Sequence, residues 1–208
     1  MLTIMKKSLK FKVLLNEKKN SGDAAVCIYT VLKNMHTRLY IGGVTMTRSN
    51  AREIAIHMIF ELGFGNSSAD ELLNNEMTPE RFAQIGEEEP LYAQFPNEKQ
   101  AQYIRELVRG TFSHGPELDD YIARYAVGWS FERIPRMAAA IMRTAMYEVL
   151  YMPDIPNAAA INSAVDIAKK YETPEVVSFV NGILGSFVRT EFQEFQDKPV
   201  KEAETAEE

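Results

Sequence analysis

From Arg48 onward the apolar residues recur every three or four positions, and that period constrains the fold more than any other feature of the chain. Ala51, Ile54, Ala55, Met58, Ile59 and Leu62 share one side of a helix expected over Arg48 to Phe64, which Gly63, Gly65 and Asn66 end. Local capping chemistry then punctuates the chain. A short helix is expected from Ser68 to Asn75. Thr78-Pro79-Glu80 reads as an N-cap, a proline in the first turn and an acid at the positive helix end. Asn97-Glu98-Lys99-Gln100 has the form of a capping box and opens a helix through Phe112, ended at His114-Gly115-Pro116. Further helices are expected from Glu117 to Tyr125, from Pro135 to Met152, from Ala158 to Tyr171, and from the Thr173-Pro174-Glu175 cap to about Phe192. No stretch of this region alternates with period two long enough to make a strand. Short connections between helices imply antiparallel neighbours, so the expected class is an all-α bundle. Trp129, Tyr121, Tyr125 and Phe131 are read as core.

Composition sets limits on function. The chain has 208 residues, 46% apolar and 25% charged, with mean hydropathy −0.23. No apolar run approaches the ~18 residues of a membrane span. A single cysteine, Cys27, excludes an internal disulfide framework, and the scattered His36, His57 and His114 make no His-rich metal site. There is no Gly-rich phosphate loop and no nucleophile elbow. Asp119-Asp120 and Glu87-Glu88-Glu89 read as solvated faces rather than catalytic pairs. The sequence therefore offers no nucleophile or base for an enzyme and no reason to expect a cofactor or metal.

Charge divides the chain. Residues 1–45 hold eight basic and two acidic residues, a net +6, and the remainder carries −12. A body at −12 cannot hold nucleic acid through a general positive field, so any RNA contact must be local. Residues 1–45 lack helical periodicity, and Met1 to Leu15 resembles a signal peptide only loosely. Gly42-Gly43-Val44 can be encoded with a ribosome-binding sequence just ahead of Met46. The expectation is that Met46 is the start and residues 1–45 are a translated leader. The competing reading is a disordered basic arm. The helical domain is expected over 46–192, followed by a disordered acidic tail over 193–208.

Two helices carry features outside their core rows. On the first, Phe60 projects away from the Ala51, Ala55, Met58 and Leu62 face, near Ile56, Ser49 and Arg52, with Arg48 at the helix start. An aromatic above arginines suits a stacked base over phosphate contacts. The competing reading is that another helix covers this face. On the last helix Val176, Val180, Ile183, Leu184 and Phe187 form the core row, and Glu175 and Phe179 fall together on its shoulder beyond Tyr171. A carboxylate beside an aromatic can accept a base amino group while the ring stacks. The alternative is a core-edge ring beside a helix-end acid.

Thr47-Arg48-Ser49-Asn50-Ala51-Arg52-Glu53-Ile54-Ala55 resembles the opening of the bacterial NusB family of transcription antitermination factors. Tyr103 to His114, Glu117 to Glu148, and Ile155 to Leu184 resemble the same family in order and spacing, so the resemblance covers about residues 46–190. It does not extend to residues 1–45. The resemblance implies a NusB-like helical fold of two small subdomains. It implies a non-enzymatic, cytoplasmic protein. Such a protein binds the boxA element of ribosomal RNA leaders with NusE, a small-subunit ribosomal protein, and joins the RNA polymerase antitermination complex. The RNA-binding positions it implies are Arg48, Arg52, Phe60, Tyr171, Glu175 and Phe179. Met137, Ala138, Tyr147 and Glu148 are the expected NusE surface.

The chain departs from the family pattern at several places. Ser49 and Asn50 interrupt a run of arginines, which reduces phosphate affinity. Ala138-Ala139-Ala140 lacks an acid that commonly faces NusE. Ser163 stands where an acid usually follows Asn162, and Glu172 stands where a glycine is usual. One alternative is a NusB-like protein-interaction bundle without RNA binding. Another is the accessory domain that precedes the catalytic part of an RNA cytosine methyltransferase; that enzyme needs a long downstream domain and catalytic cysteines.

Overall fold

The structure is a computed structural model, and it describes residues 46–65 and 67–192. The leader expected over 1–45 and the tail expected over 193–208 lie outside the described residues. Among the described residues eight α-helices follow in order: α1 Arg48–Leu62, α2 Ala69–Glu76, α3 Pro79–Gly86, α4 Glu98–Ser113, α5 Gly115–Tyr125, α6 Arg136–Tyr151, α7 Asn157–Tyr171 and α8 Pro174–Phe192. Short 3-10 turns occupy Pro90–Tyr92 and Phe131–Arg133. No strand forms among the described residues.

The helix starts follow from side chains that satisfy orphan backbone N–H groups. Thr47, Ser68, Thr78 and Asn97 each accept from the N–H three residues on. Ser68 with Glu71, and Asn97 with Gln100, complete reciprocal capping boxes. One boundary differs from expectation. Gly115-Pro116 does not separate two helices by a loop; it opens α5 directly after α4, because proline in the first turn lacks only an N–H that would be orphaned anyway.

Helices α1 to α4 pack together, as do α5 to α8, and α6 joins the groups by packing against both α1 and α4. The interior is one continuous apolar cluster. Two helices in it are enclosed far beyond a single stripe. In α6 all residues from Met137 to Val149 are buried except Arg143. In α1 Ile56 is as completely buried as Ile54, and Arg52 and Glu53 are buried too. The face of α1 expected to be open is therefore covered over much of its length. Trp129, expected in the core, is instead 50% exposed and tilts over Phe179 with centroids 4.9 Å apart. Tyr121, Tyr125 and Phe131 sit half-buried at the core's edge.

Candidate nucleic-acid interface

Helices α1 and α7 are tied through polar side chains. Ser49 Oγ lies 3.5 Å from Ser163 Oγ. One turn on, Arg52 Nη1 donates to the same Ser163 Oγ at 2.7 Å. Beside it, Glu53 accepts from Lys170 Nζ at 2.6 Å and from the Tyr171 hydroxyl at 2.8 Å. A turn further, His57 Nε2 lies 2.7 Å from that hydroxyl. This polar seam carries one expected RNA contact, Tyr171, and engages a second, Arg52.

Arg52 does not reach solvent. Its Nε and Nη2 donate to Glu148 Oε2 and Oε1 at 2.7 and 2.9 Å. The Tyr103 hydroxyl donates to the same carboxylate. The two charged side chains are 4% and 0% exposed. Burial opposes the charge on Arg52, but the hydrogen bonds and charge of Glu148 outweigh it and raise the guanidinium pKa. Arg52 is thus corrected from a phosphate contact to an internal ion-pair member. The reason is that α4, α6 and α7 each bring a polar partner to it.

The expected partner surface is corrected by the same packing. Ala138 and Glu148 are wholly buried, and Met137 is buried near the start of α6. Tyr147 is largely buried against Gly110, where an added Cβ would stand 1.9 Å from the tyrosine Cζ. Its remaining surface helps line an open groove along α4 with Arg105, Glu106 and Arg109. Of the four residues, Tyr147 lines a groove open to solvent.

The remaining candidates keep accessible surface. Arg48 is exposed and lies over the Tyr103 ring, 5.0 Å from its centroid. With Lys99 and Gln100 it borders a small recess above that ring. The sequence alone does not single out Lys99, because it sits inside a capping box that accounts for it locally. Phe60 is half-buried and meets Phe64 edge-on at 4.8 Å; Phe64 is 60% exposed, and Arg136 lies over it at 4.5 Å. Glu175 is exposed in the first turn of α8. Its own backbone N–H and the Thr173 side chain hold its carboxyl below the ordinary range. Phe179 is half-buried under Trp129. Glu172 is half-buried. Burial raises its pKa, and the backbone N–H of Ala138 acts against that rise. Among the described residues no cluster of three potential metal ligands occurs.

A family model described as the NusB family matches residues 49–189. The chain is 37% identical over 147 residues to the transcription antitermination protein NusB of Symbiobacterium thermophilum, covering 69% of this chain and 90% of that protein. It is 38% identical over 144 residues to the NusB of Acetivibrio thermocellus, with the same coverage. In structure it is similar to T. maritima NusB, with TM-score 0.59 and 26% identity over 70% of this chain and 93% of the other. A crystal structure of the antitermination factors NusB and NusE in complex with dsRNA has the same fold, with TM-score 0.55 and 22% identity over 69% of this chain and 96% of that one. The family match spans nearly every described helix, from the first turn of α1 into the last turns of α8, and this chain belongs to the NusB family.

Proposed function

We propose that this chain is a transcription antitermination factor that binds boxA-type RNA together with NusE and supports processive ribosomal RNA transcription in the cytoplasm. Its relatives carry the antitermination name, and a protein of the same fold is known in complex with NusE and dsRNA. It is a binding protein, not an enzyme. No helix among the described residues is long and apolar enough to cross a membrane.

The observation that carries the RNA reading is a set of cationic, aromatic and acidic side chains on α1, α4, α7 and α8 that keep accessible surface. Arg48, with Lys99 beside it, supplies phosphate contacts. Phe60, Tyr171 and Phe179 supply stacking surface, and Glu175 supplies a carboxylate for a base amino group. Arg52 supports this surface from inside. Two cations at this surface, Arg48 and Lys99, on a body of net negative charge imply weak RNA binding, strengthened when NusE adds a second surface. Titration of a boxA RNA oligonucleotide with and without NusE tests this. Tighter binding with NusE is expected. Unchanged affinity refutes cooperation with NusE, and NusE binding without any RNA binding favours the protein-interaction bundle.

A further inference from the structure

Both ring nitrogens of His57 are engaged. Nδ1 lies 3.0 Å from the Tyr92 hydroxyl oxygen and Nε2 lies 2.7 Å from that of Tyr171. The Tyr171 hydroxyl in turn lies 2.8 Å from Glu53 Oε1. A carboxylate paired with Lys170 only accepts, so the Tyr171 hydroxyl donates its hydrogen bond to Glu53. The Tyr171 oxygen then accepts from His57, which places the proton of the neutral ring on Nε2. Nδ1 keeps its lone pair and accepts from Tyr92. One directional chain results, Tyr92 to His57 to Tyr171 to Glu53, and Lys170 Nζ closes it on the other Glu53 oxygen at 2.6 Å.

This chain anchors Tyr171 where its backbone does not. Tyr171 is the last residue of α7, at a helix end whose carbonyls lack intrahelical partners. The ring of His57 meets it edge-on, 5.4 Å between centroids and 88° between planes, and lies nearly parallel to Tyr92. Tyr92 is itself buried against Phe82. The His57 ring therefore transmits the rigidity of the core to a side chain at the surface. A ring held in one orientation loses less entropy when a base stacks on it.

We propose that His57 is a positioning residue that holds the Tyr171 ring, through its Nε2–H, in the orientation required for stacking on an RNA base. The proposal rests on the reading of Tyr171 as part of the RNA surface. Burial pushes the His57 pKa down and Lys170 adds to this, while Glu53 and Glu89 pull the other way. The net lowering keeps the ring neutral at neutral pH, as the directional chain requires.

The test uses the full chain and a boxA RNA oligonucleotide. Nitrogen-15 NMR of the histidine rings should give the Nε2–H tautomer for His57; the opposite tautomer overturns the proposal. His57→Ala should weaken RNA binding about two- to ten-fold, the reach of one neutral hydrogen bond. Tyr171→Phe, which keeps the ring and removes the hydroxyl, should lose a similar factor. Adding His57→Ala to Tyr171→Phe should cost nothing more. His57→Gln, which offers one donor and one acceptor, should restore most of the affinity. If Tyr171→Ala weakens binding but His57→Ala and Tyr171→Phe do not, the positioning role is wrong and the RNA reading of Tyr171 stands. If Tyr171→Ala leaves affinity unchanged, that RNA reading falls and takes the proposal with it. Should His57→Ala fail to fold, Tyr171→Phe decides: full affinity in that variant overturns the proposal.

Discussion

Arg52 on α1 and Glu148 on α6 meet as a doubly hydrogen-bonded ion pair, 96 residues apart in sequence and sealed from solvent. Ser163 takes the third guanidinium position, and Tyr103 donates to the carboxylate. Side chains of α1, α4, α6 and α7 thus converge on one neutral cluster. Burying two charges is costly, and the extra hydrogen bonds offset that cost.

Removing one member of the pair should be far worse than removing both. Glu148→Ala should destabilise the fold by about 3–5 kcal/mol, because it strands a buried guanidinium. Arg52→Met combined with Glu148→Leu should cost much less than the sum of the two single changes. Urea denaturation of Glu148→Ala, of the two single variants Arg52→Met and Glu148→Leu, and of their combination checks this.

The two arginines of α1 should separate cleanly in RNA titrations. Arg48→Ala should weaken binding, reduce the salt slope by about one phosphate's worth and leave the melting temperature nearly unchanged. Arg52→Ala should lower the melting temperature sharply. A normal melting temperature with a reduced salt slope in Arg52→Ala would return that residue to the RNA surface.

Phe60 and Phe64 differ in burial, and their variants should differ accordingly. Phe60→Ala should cost some stability, less than the ~3–5 kcal/mol of a fully buried ring. It should also cost ~1–3 kcal/mol in RNA binding if a base stacks there. Phe64→Ala should leave stability almost unchanged. Thermal unfolding and RNA titration of both variants distinguish the contributions.

Stability should fall in acid partly through His57. Its folded pKa lies below the ordinary histidine value, so the unfolded chain binds the proton more readily. The stabilisation is complete above about pH 6.5 and is lost as the pH falls below that value toward the folded pKa. The groups facing the ring are Tyr92, Tyr171, Glu53, Glu89 and Lys170. His57→Gln should flatten the stability profile between pH 6.5 and the acid limb relative to the parent. Identical profiles would remove His57 from the pH response.

Gly110 should reject alanine despite lying inside a helix. Propensity alone favours alanine there by up to ~1 kcal/mol. The Tyr147 ring occupies the space a Cβ needs, so Gly110→Ala should destabilise by about 1–3 kcal/mol through overpacking. Pairing it with Tyr147→Leu should recover part of the loss, measured by thermal unfolding.

Helix placement was legible because its signals are local. Ser68, Thr78 and Asn97 each act within one turn, so reading a few residues suffices. The proline in Gly115-Pro116 misled because the same residue can end one helix or open the next. The site was less legible. A helical wheel assigns α1 one core face, but the structure encloses that helix on more than one side, and no local pattern reveals this. Arg52 looks like a surface cation until Glu148 arrives from the other half of the chain. His57 likewise gains its meaning only when Tyr92 and Tyr171 close on it.

The hydroxyl of Ser163 leaves Arg52 with the one carboxylate of Glu148 to balance it. Positions 52, 148 and 163 therefore form one electrical unit and cannot drift independently through evolution. A carboxylate gained at 163, a half-buried position, would add negative charge beside Arg52 unless Glu148 were lost or a second cation acquired. Chains of this family should consequently exchange these residues in compensated sets, and a chimera that grafts α7 from an acid-bearing relative onto this α1 and α6 should be penalised at a junction where every backbone still fits.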